Sequence, residues 1–221
     1  MKKYVIIVAG GIGKRMNNDL PKQLILIKGR PILYYTINSF LKSFDDIKII
    51  VVLPEQYLAN GKQLMDTYFS QFQNIAITKG GYTRFHSVQN GLNLITEECI
   101  VFVHDGVRAM VSTNLIQRCY NQTVQVGSAI PVIHCRDSAR IMEHETSIPI
   151  NRDRIRLIQT PQTFKSDILI PAFNTTYQES FTDEATVVEA YGKSICLIEG
   201  EETNIKITYP IDLTVAEKLL S

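Results

Sequence analysis

Neither sign of charge dominates this chain: 23 Lys and Arg stand against 22 Asp and Glu in 221 residues. With no global field to draw in polyanions, nucleic acid and anionic membranes are excluded as partners, and any anion site must come from local clustering. Cysteine is scarce and scattered. Cys99, Cys119, Cys135 and Cys196 form no C-x-x-C pair, which argues against zinc and disulfides and for reduced thiols in a cytoplasmic protein. Long apolar runs are missing as well. After Lys2 and Lys3 only about five apolar residues precede the first glycines, too few for a signal-peptide core and far too few to span a membrane. The dinucleotide fingerprint G-x-G-x-x-G is absent, since Met16 stands where its third glycine belongs, and so is the Walker pattern G-x-x-x-x-G-K-[ST]. The four histidines have no metal-ligand spacing, and no Ser/His/Asp order is present; they read as structural.

What is present is a hydrophobic content of 45% and a charged content of 20%, ordinary for one well-buried domain of this length. Short Val/Ile-rich runs occur at 4–8, 47–53, 74–78, 99–104, 128–132 and 194–199. Continuous apolar runs suit strands covered on both faces, as in a parallel sheet. Between them lie segments with helical spacing, at 31–41, 84–95 and 113–123; Val88, Leu92 and Ile95 share one face of the second. Val215, Ala216, Leu219 and Leu220 form another stripe. The alternation predicts a three-layer α/β domain with a mostly parallel sheet, whose ligands sit beyond the carboxyl ends of the strands.

One region breaks this rhythm. The stretch "IHCRDSARIMEHETSIPINRDRIRLIQ", residues 133–159, is charged, alternating and poor in helix signals. It reads as a projecting β-arm: two short alternating pieces flank "EHETS", and Pro149 suits no central strand. An arm this long cannot bury both faces on its own domain, so a homodimer built through it is expected.

Chemistry gathers at the ends of the strands. In "VAGGIGKRMNNDLPKQ", Gly10, Gly11 and Gly13 let backbone N–H groups turn towards an anion, and Arg15 and Lys22 supply charge for a phosphate chain. "KGGYTR" follows the third strand; Gly81 and Ser87 there either read a base or ribose or simply make a strand-to-helix turn. "VHDGVR" places Asp105 just past a strand, where it either holds Mg²⁺ bridging phosphates or caps the next turn. Arg108 is a candidate phosphate fork. "TPQ" (160–162) and "TDEA" (182–185) each look like a helix cap, and "NIKIT" (204–208) reads as a short alternating strand with Lys206 aimed at solvent or at an anion.

Set in order, "AGGIGKRM…PKQ", "GGYTRFHSV", "HDGVR", "RDS", "TPQTF", "TDEA" and "NIKIT" resemble the 2-C-methyl-D-erythritol 4-phosphate cytidylyltransferases. The resemblance implies a Rossmann-like nucleotidyltransferase domain over 1–221, with the 133–159 arm interlocking a homodimer. It implies transfer of CMP from CTP to a sugar-alcohol phosphate, with Mg²⁺ and with release of pyrophosphate. Arg15, Lys22 and Lys206 would then be catalytic. Ala9, Gly10, Gly11, Gly13, Gly81, Ser87 and Gly106 would hold the nucleotide. Asp105, Arg108, Ser138, Arg152 and Thr160 would hold the acceptor, with Asp105 also at the metal. The chain departs from the pattern at Gly106 and Ala109, where many relatives read "HDAARP", at Ser138, a usual threonine, and at Tyr82, where an acid is common. Two alternatives stay open: a ribitol 5-phosphate cytidylyltransferase, which shares several of these motifs, and a non-catalytic nucleotide-binding protein on the same fold.

Overall fold

Strand β1 (Lys2–Val8) carries the first apolar run and lies in the middle of the main sheet of a computed structural model, which describes residues 1–11 and 21–220. The expected site residues Gly13 and Arg15 lie outside the described residues. In chain order there follow β2 (Leu26–Ile27), β3 (Arg30–Pro31), α1 (Ile32–Ser43), β4 (Ile47–Leu53), α2 (Leu58–Tyr68), β5 (Ile75–Lys79), α3 (Arg84–Leu92), β6 (Cys99–Asp105), α4 (Thr113–Val126) and β7 (Ser128–His134). The second half adds β8 (Ala139–Glu143), β9 (Thr146–Ile150), β10 (Arg156–Ile158), β11 (Gln162–Lys165), α5 (Ser166–Ala172), α6 (Glu184–Ala190), β12 (Leu197–Glu199) and α7 (Pro210–Leu219). Among the described residues no helix is long and apolar enough to cross a membrane.

The sheet runs β10-β7-β11-β6-β1-β4-β5, with β12 paired to β7. Its centre is parallel: β1 pairs with β4 and β6, and β4 with β5. Successive side chains of a strand point to opposite faces, and both faces here are covered. Tyr4, Ile6, Ile50, Val52, Val101 and Val103 pack under α3, α5 and α6. Val5, Ile7, Ile49, Val51, Ile100 and Phe102 pack under α1 and α4. That double burial is why the strands read as unbroken apolar runs, and it gives the three-layer α/β architecture expected. Helix starts are specified locally. Thr83 caps α3, Ser112 caps α4, and Asp183 forms a capping box with Thr186 at the head of α6. Gly127, at φ 95°, ends α4 in the left-handed region.

Three local expectations change. Residues 160–162 start no helix: the Thr160–Pro161 peptide is cis, and Gln162 opens β11, which runs antiparallel between β6 and β7. Gln162 still serves a helix end through space, because its Oε1 accepts from the Ala185 N–H at 2.8 Å and its Nε2 donates to Asp183 at 2.9 Å. Residues 204–208 are not a strand. The segment is held by side chains, with buried Asn204 donating to the Thr160 carbonyl, and by backbone bonds from the Asn204 N–H to the Glu201 carbonyl and from the Ile207 N–H to the Val107 carbonyl. The C-terminal stripe is only partly used: Ala216 is buried, while Val215 and Leu219 are exposed. The arm forms as a hairpin of β8 and β9, registered from Ala139↔Ile150 to Glu143↔Thr146, and these two strands make a sheet of their own.

Candidate active site

Three loops meet at the carboxyl edge of the parallel strands, and ladder bonds carried past the strand ends set their spacing. The Ala9 N–H donates to the Val52 carbonyl, the Gly80 N–H to that of Leu53, and the Gly106 N–H to that of Val8, at 2.7–2.9 Å. Gly106 makes that approach possible, since a Cβ there would lie 2.9 Å from the Ala9 Cβ. Gln23, buried in the 3-10 turn Lys22–Leu24, donates to the Ala9 carbonyl at 2.6 Å and so ties "PKQ" to the first loop. The result is a cleft of about 360 Å³.

Asp105 is the hub. It is 7% exposed, and the strand register sets it directly beside Val8. Its Oδ1 lies 3.4 Å from Arg84 Nε; its Oδ2 lies 3.3 Å from Arg108 Nε and 3.1 Å from Lys206 Nζ. Burial alone would raise its pKa. The Arg84, Lys206 and Arg108 cations outweigh that and hold the carboxyl well below the usual range. Arg84 is in turn gripped by Glu184, buried at the first position of α6, through both guanidinium Nη atoms. Burial pushes Glu184 up, against the pull of Arg84.

Behind Asp105 runs a chain of hydrogen bonds with assignable direction. The Asp105 N–H donates to Thr160 Oγ1 at 3.1 Å, and Thr160 Oγ1 lies 3.0 Å from His104 Nδ1. His104 Nε2 lies 3.2 Å from the Arg108 carbonyl. A carbonyl only accepts, so the proton sits on Nε2, and the Thr160 hydroxyl donates to Nδ1. Complete burial holds the His104 pKa down, at about 3, and the ring stays neutral.

The structure brings most of the expected residues to this cleft. Ala9, Gly10 and Gly11 line it after β1, Gly81 and Ser87 at the head of α3, and Lys22, Asp105 and Lys206 opposite. The Gly81 N–H donates to Ser87 Oγ at 3.1 Å, and Ser87 Oγ donates to the Thr83 carbonyl at 3.0 Å. Lys22 Nζ donates to the Ile207 carbonyl at 3.1 Å, which ties the "PKQ" turn to "NIKIT". Gly106 stands behind the wall. Arg108 and Thr160 do not line this cleft and stand behind Asp105. Arg108 donates to Asp105, to the Asn204 carbonyl at 2.7 Å and to the Ile158 carbonyl, and the Thr160 hydroxyl is taken by Asp105 and His104. Ser138 and Arg152 sit at the base of the arm, exposed; Arg152 Nη1 donates to the Arg136 carbonyl. Neither lines the cleft of its own chain.

Sequence reasoning passed over Gln23, Arg84, His104 and Glu184. Gln23 and Arg84 sit inside quoted motifs, and His104 and Glu184 each adjoin an acid singled out or capping. The useful signal was a polar residue next to a strand end or a helix cap.

The chain matches the family model described as IspD: 2-C-methyl-D-erythritol 4-phosphate cytidylyltransferase over residues 3–221. A protein of that name from Phocaeicola vulgatus is 43% identical over 220 residues, covering 100% of both chains. Another from Azobacteroides pseudotrichonymphae is 45% identical over 222 residues, covering 99% of each. Among solved structures, the 2-C-methyl-D-erythritol 4-phosphate cytidylyltransferase of Francisella tularensis superposes with a TM-score of 0.81 at 32% identity, over 99% of this chain and 100% of that one. The geometry of the cleft and these likenesses agree, and the chain belongs to the 2-C-methyl-D-erythritol 4-phosphate cytidylyltransferase family.

Proposed function

We propose that the cleft transfers CMP from CTP to 2-C-methyl-D-erythritol 4-phosphate, giving 4-diphosphocytidyl-2-C-methyl-D-erythritol and pyrophosphate, a step of isoprenoid precursor synthesis in the cytoplasm. The observation that carries this reading is the convergence of Lys22 and Lys206 on the glycine loop after β1, in one cleft. A phosphate oxygen of the acceptor attacks the α-phosphorus of CTP, and the bond from that phosphorus to the β-phosphate oxygen breaks. Two polyanions must meet, so the site has first to cancel charge. Lys22, with Arg15 from outside the described residues, stabilises the crowded phosphorus and the departing pyrophosphate; Lys206 holds the acceptor phosphate against it. No general base is required, because the attacking phosphate is already ionised near neutral pH. This accounts for a site whose one histidine is buried and neutral. Ala9, Gly10, Gly11, Gly81 and Ser87 form the wall for cytosine and ribose. Arg108 and Thr160 act behind Asp105, fixing where its carboxylate points.

The residues fit Mg²⁺ in a limited sense. Asp105 is the single carboxylate lining the cleft among the described residues, and these include no group of three or more His, Cys, Asp and Glu fit to hold a metal. One carboxylate suffices where phosphate oxygens and water complete the shell. Lys206 already stands at one of its oxygens, so the set suits a cation that arrives on the triphosphate rather than a resident one. Asp105 would hold it, and when bound it supplies further neutralisation of phosphate charge.

Ser138 and Arg152 support a homodimer, because in a single chain they reach no cleft. In an arm-exchanged pair they are free to serve the partner's acceptor site. The test is purified protein with CTP and Mg²⁺, offered each alcohol phosphate while pyrophosphate release is followed. Release with methylerythritol phosphate is expected. Release only with ribitol 5-phosphate overturns the substrate, and release with neither overturns the reading.

A further inference from the structure

Tyr82 is 102% exposed, more accessible than a tyrosine in an extended peptide, yet it lines the cleft. A lone exposed aromatic on a surface needs no explanation; its place here does. The cleft has two unlike sides. Lys22, Asp105 and Lys206 carry charge on one, above β1 and β6. The turn between β5 and α3 contributes the uncharged residues Gly81, Tyr82 and Thr83 before Arg84. A Cβ at Gly81 would lie 2.3 Å from the His86 Cβ, so the turn can pack this closely on α3 only with a glycine there. Tyr82 stands on that side, and its nearest ring neighbour, His86, meets it edge-on with centroids 6.5 Å apart. Both faces of the phenol ring are open.

A nucleoside triphosphate entering this cleft must put its phosphates towards the lysines, which leaves its one neutral, planar part beside the uncharged Gly81–Thr83 turn. We infer that Tyr82 folds its ring over the pyrimidine of the bound nucleotide, making a stacked outer wall opposite Gly81 and Ser87. This rests on the proposed reading of the cleft as a CTP site and deepens it: the side chain sets nucleotide affinity, while the lysines set the rate. Stacking of a base on an aromatic side chain is lost on truncation to alanine at a cost of roughly five- to hundredfold in affinity.

Steady-state kinetics on Tyr82→Ala are expected to show KM for CTP raised about five- to hundredfold, with kcat falling no more than about twofold and KM for the alcohol phosphate unmoved. Tyr82→Phe restores KM. The chain contains no tryptophan, so Tyr82→Trp introduces a single fluorescent reporter at the ring. CTP should quench it in a saturable titration, and inorganic tripolyphosphate should not. An unchanged KM in Tyr82→Ala, or equal quenching by both ligands, overturns the stacking. If the unmodified protein releases no pyrophosphate from CTP, the underlying reading of the cleft fails instead, and the two failures are told apart by that control.

Discussion

The cleft and the arm use polar residues in opposite ways. At the cleft, charges interlock around buried carboxylates: Asp105 faces three cations, and one of them, Arg84, is held by buried Glu184. Removing water raises the cost of misplacing any of them, so their positions are inherited from the packed strands beneath. The arm is the reverse. Its strands pair with each other, its charges face water, and Ile141, Met142 and Ile148 stand 51%, 69% and 47% exposed. The cleft is thus a product of the chain's core, whereas the arm hairpin stands outside that core as a sheet of its own.

The largest effect that would break this contrast lies at the cleft. Lys22→Ala should lower turnover at least about a hundredfold, on the order of 3 kcal/mol of transition-state stabilisation, with the circular dichroism spectrum unchanged. Arg15→Ala should do the same. Near-normal turnover in Lys22→Ala would mean that the convergence on the glycine loop is not where the charge is cancelled.

Next in size is the arm itself. Excising residues 137–150 removes both hairpin strands and none of the core, so the remaining domain should fold, sediment as a monomer and lose turnover, since Ser138 goes with it and Arg152 loses its setting. A truncated chain that still sediments as a dimer would place the contact elsewhere, on α7 for instance, where Ile211, Val215 and Leu219 are also exposed.

The same contrast explains what could be read in advance. The parallel core was legible because strands buried on both faces must be apolar throughout, as in 47–53, and because glycines and cations directly after such a run have few other uses. Gly10, Gly11 and Lys22 were legible for that reason; Asp105 and Lys206 each kept a structural alternative and were placed in the site only by the family resemblance. Composition does not say whether Arg108 and Thr160 point into the cleft or beneath it; bonds to the Asn204 and Ile158 carbonyls and to His104 set them behind Asp105 in this chain, and they join positions 50 to 96 residues apart. Strand β11 escaped notice because "QTFK" is too short to show a period. The 204–208 segment alternates like a strand, but side chains rather than a ladder hold it.

A buried neutral histidine beneath the cleft gives a third, pH-dependent effect. His104 has a pKa of about 3 against an ordinary 6.5, so between those values the unfolded chain takes up a proton that the native state refuses. Stability therefore falls as pH drops through that window, by about 1.4 kcal/mol per pH unit from this group. Asp105, held well below the usual carboxylate range, stays ionised in the native state throughout that window and adds to the slope only near its acid end, where the unfolded carboxyl takes up a proton. In His104→Gln, urea midpoints measured from pH 6.5 downwards should show a slope shallower by one proton. An identical slope would mean that His104 is protonated in the fold, against the acceptor role assigned to its Nδ1.

The smallest effect compares two polar side chains of similar geometric quality. Asp183 accepts from the Thr186 N–H at 2.9 Å and caps the helix whose first residue, Glu184, holds Arg84. Arg140 donates to Ser147 at 2.7 Å across the arm hairpin, fully in water. Asp183→Ala should cost about 1 kcal/mol of unfolding free energy, the usual worth of an N-cap, because the freed N–H groups lie against packed protein. Arg140→Ala should cost less than about 0.5 kcal/mol, because water replaces the lost partner. Equal costs by denaturant titration would mean that the hairpin carries stability of its own, and the contrast between a packed cleft and a solvated arm would have to be abandoned.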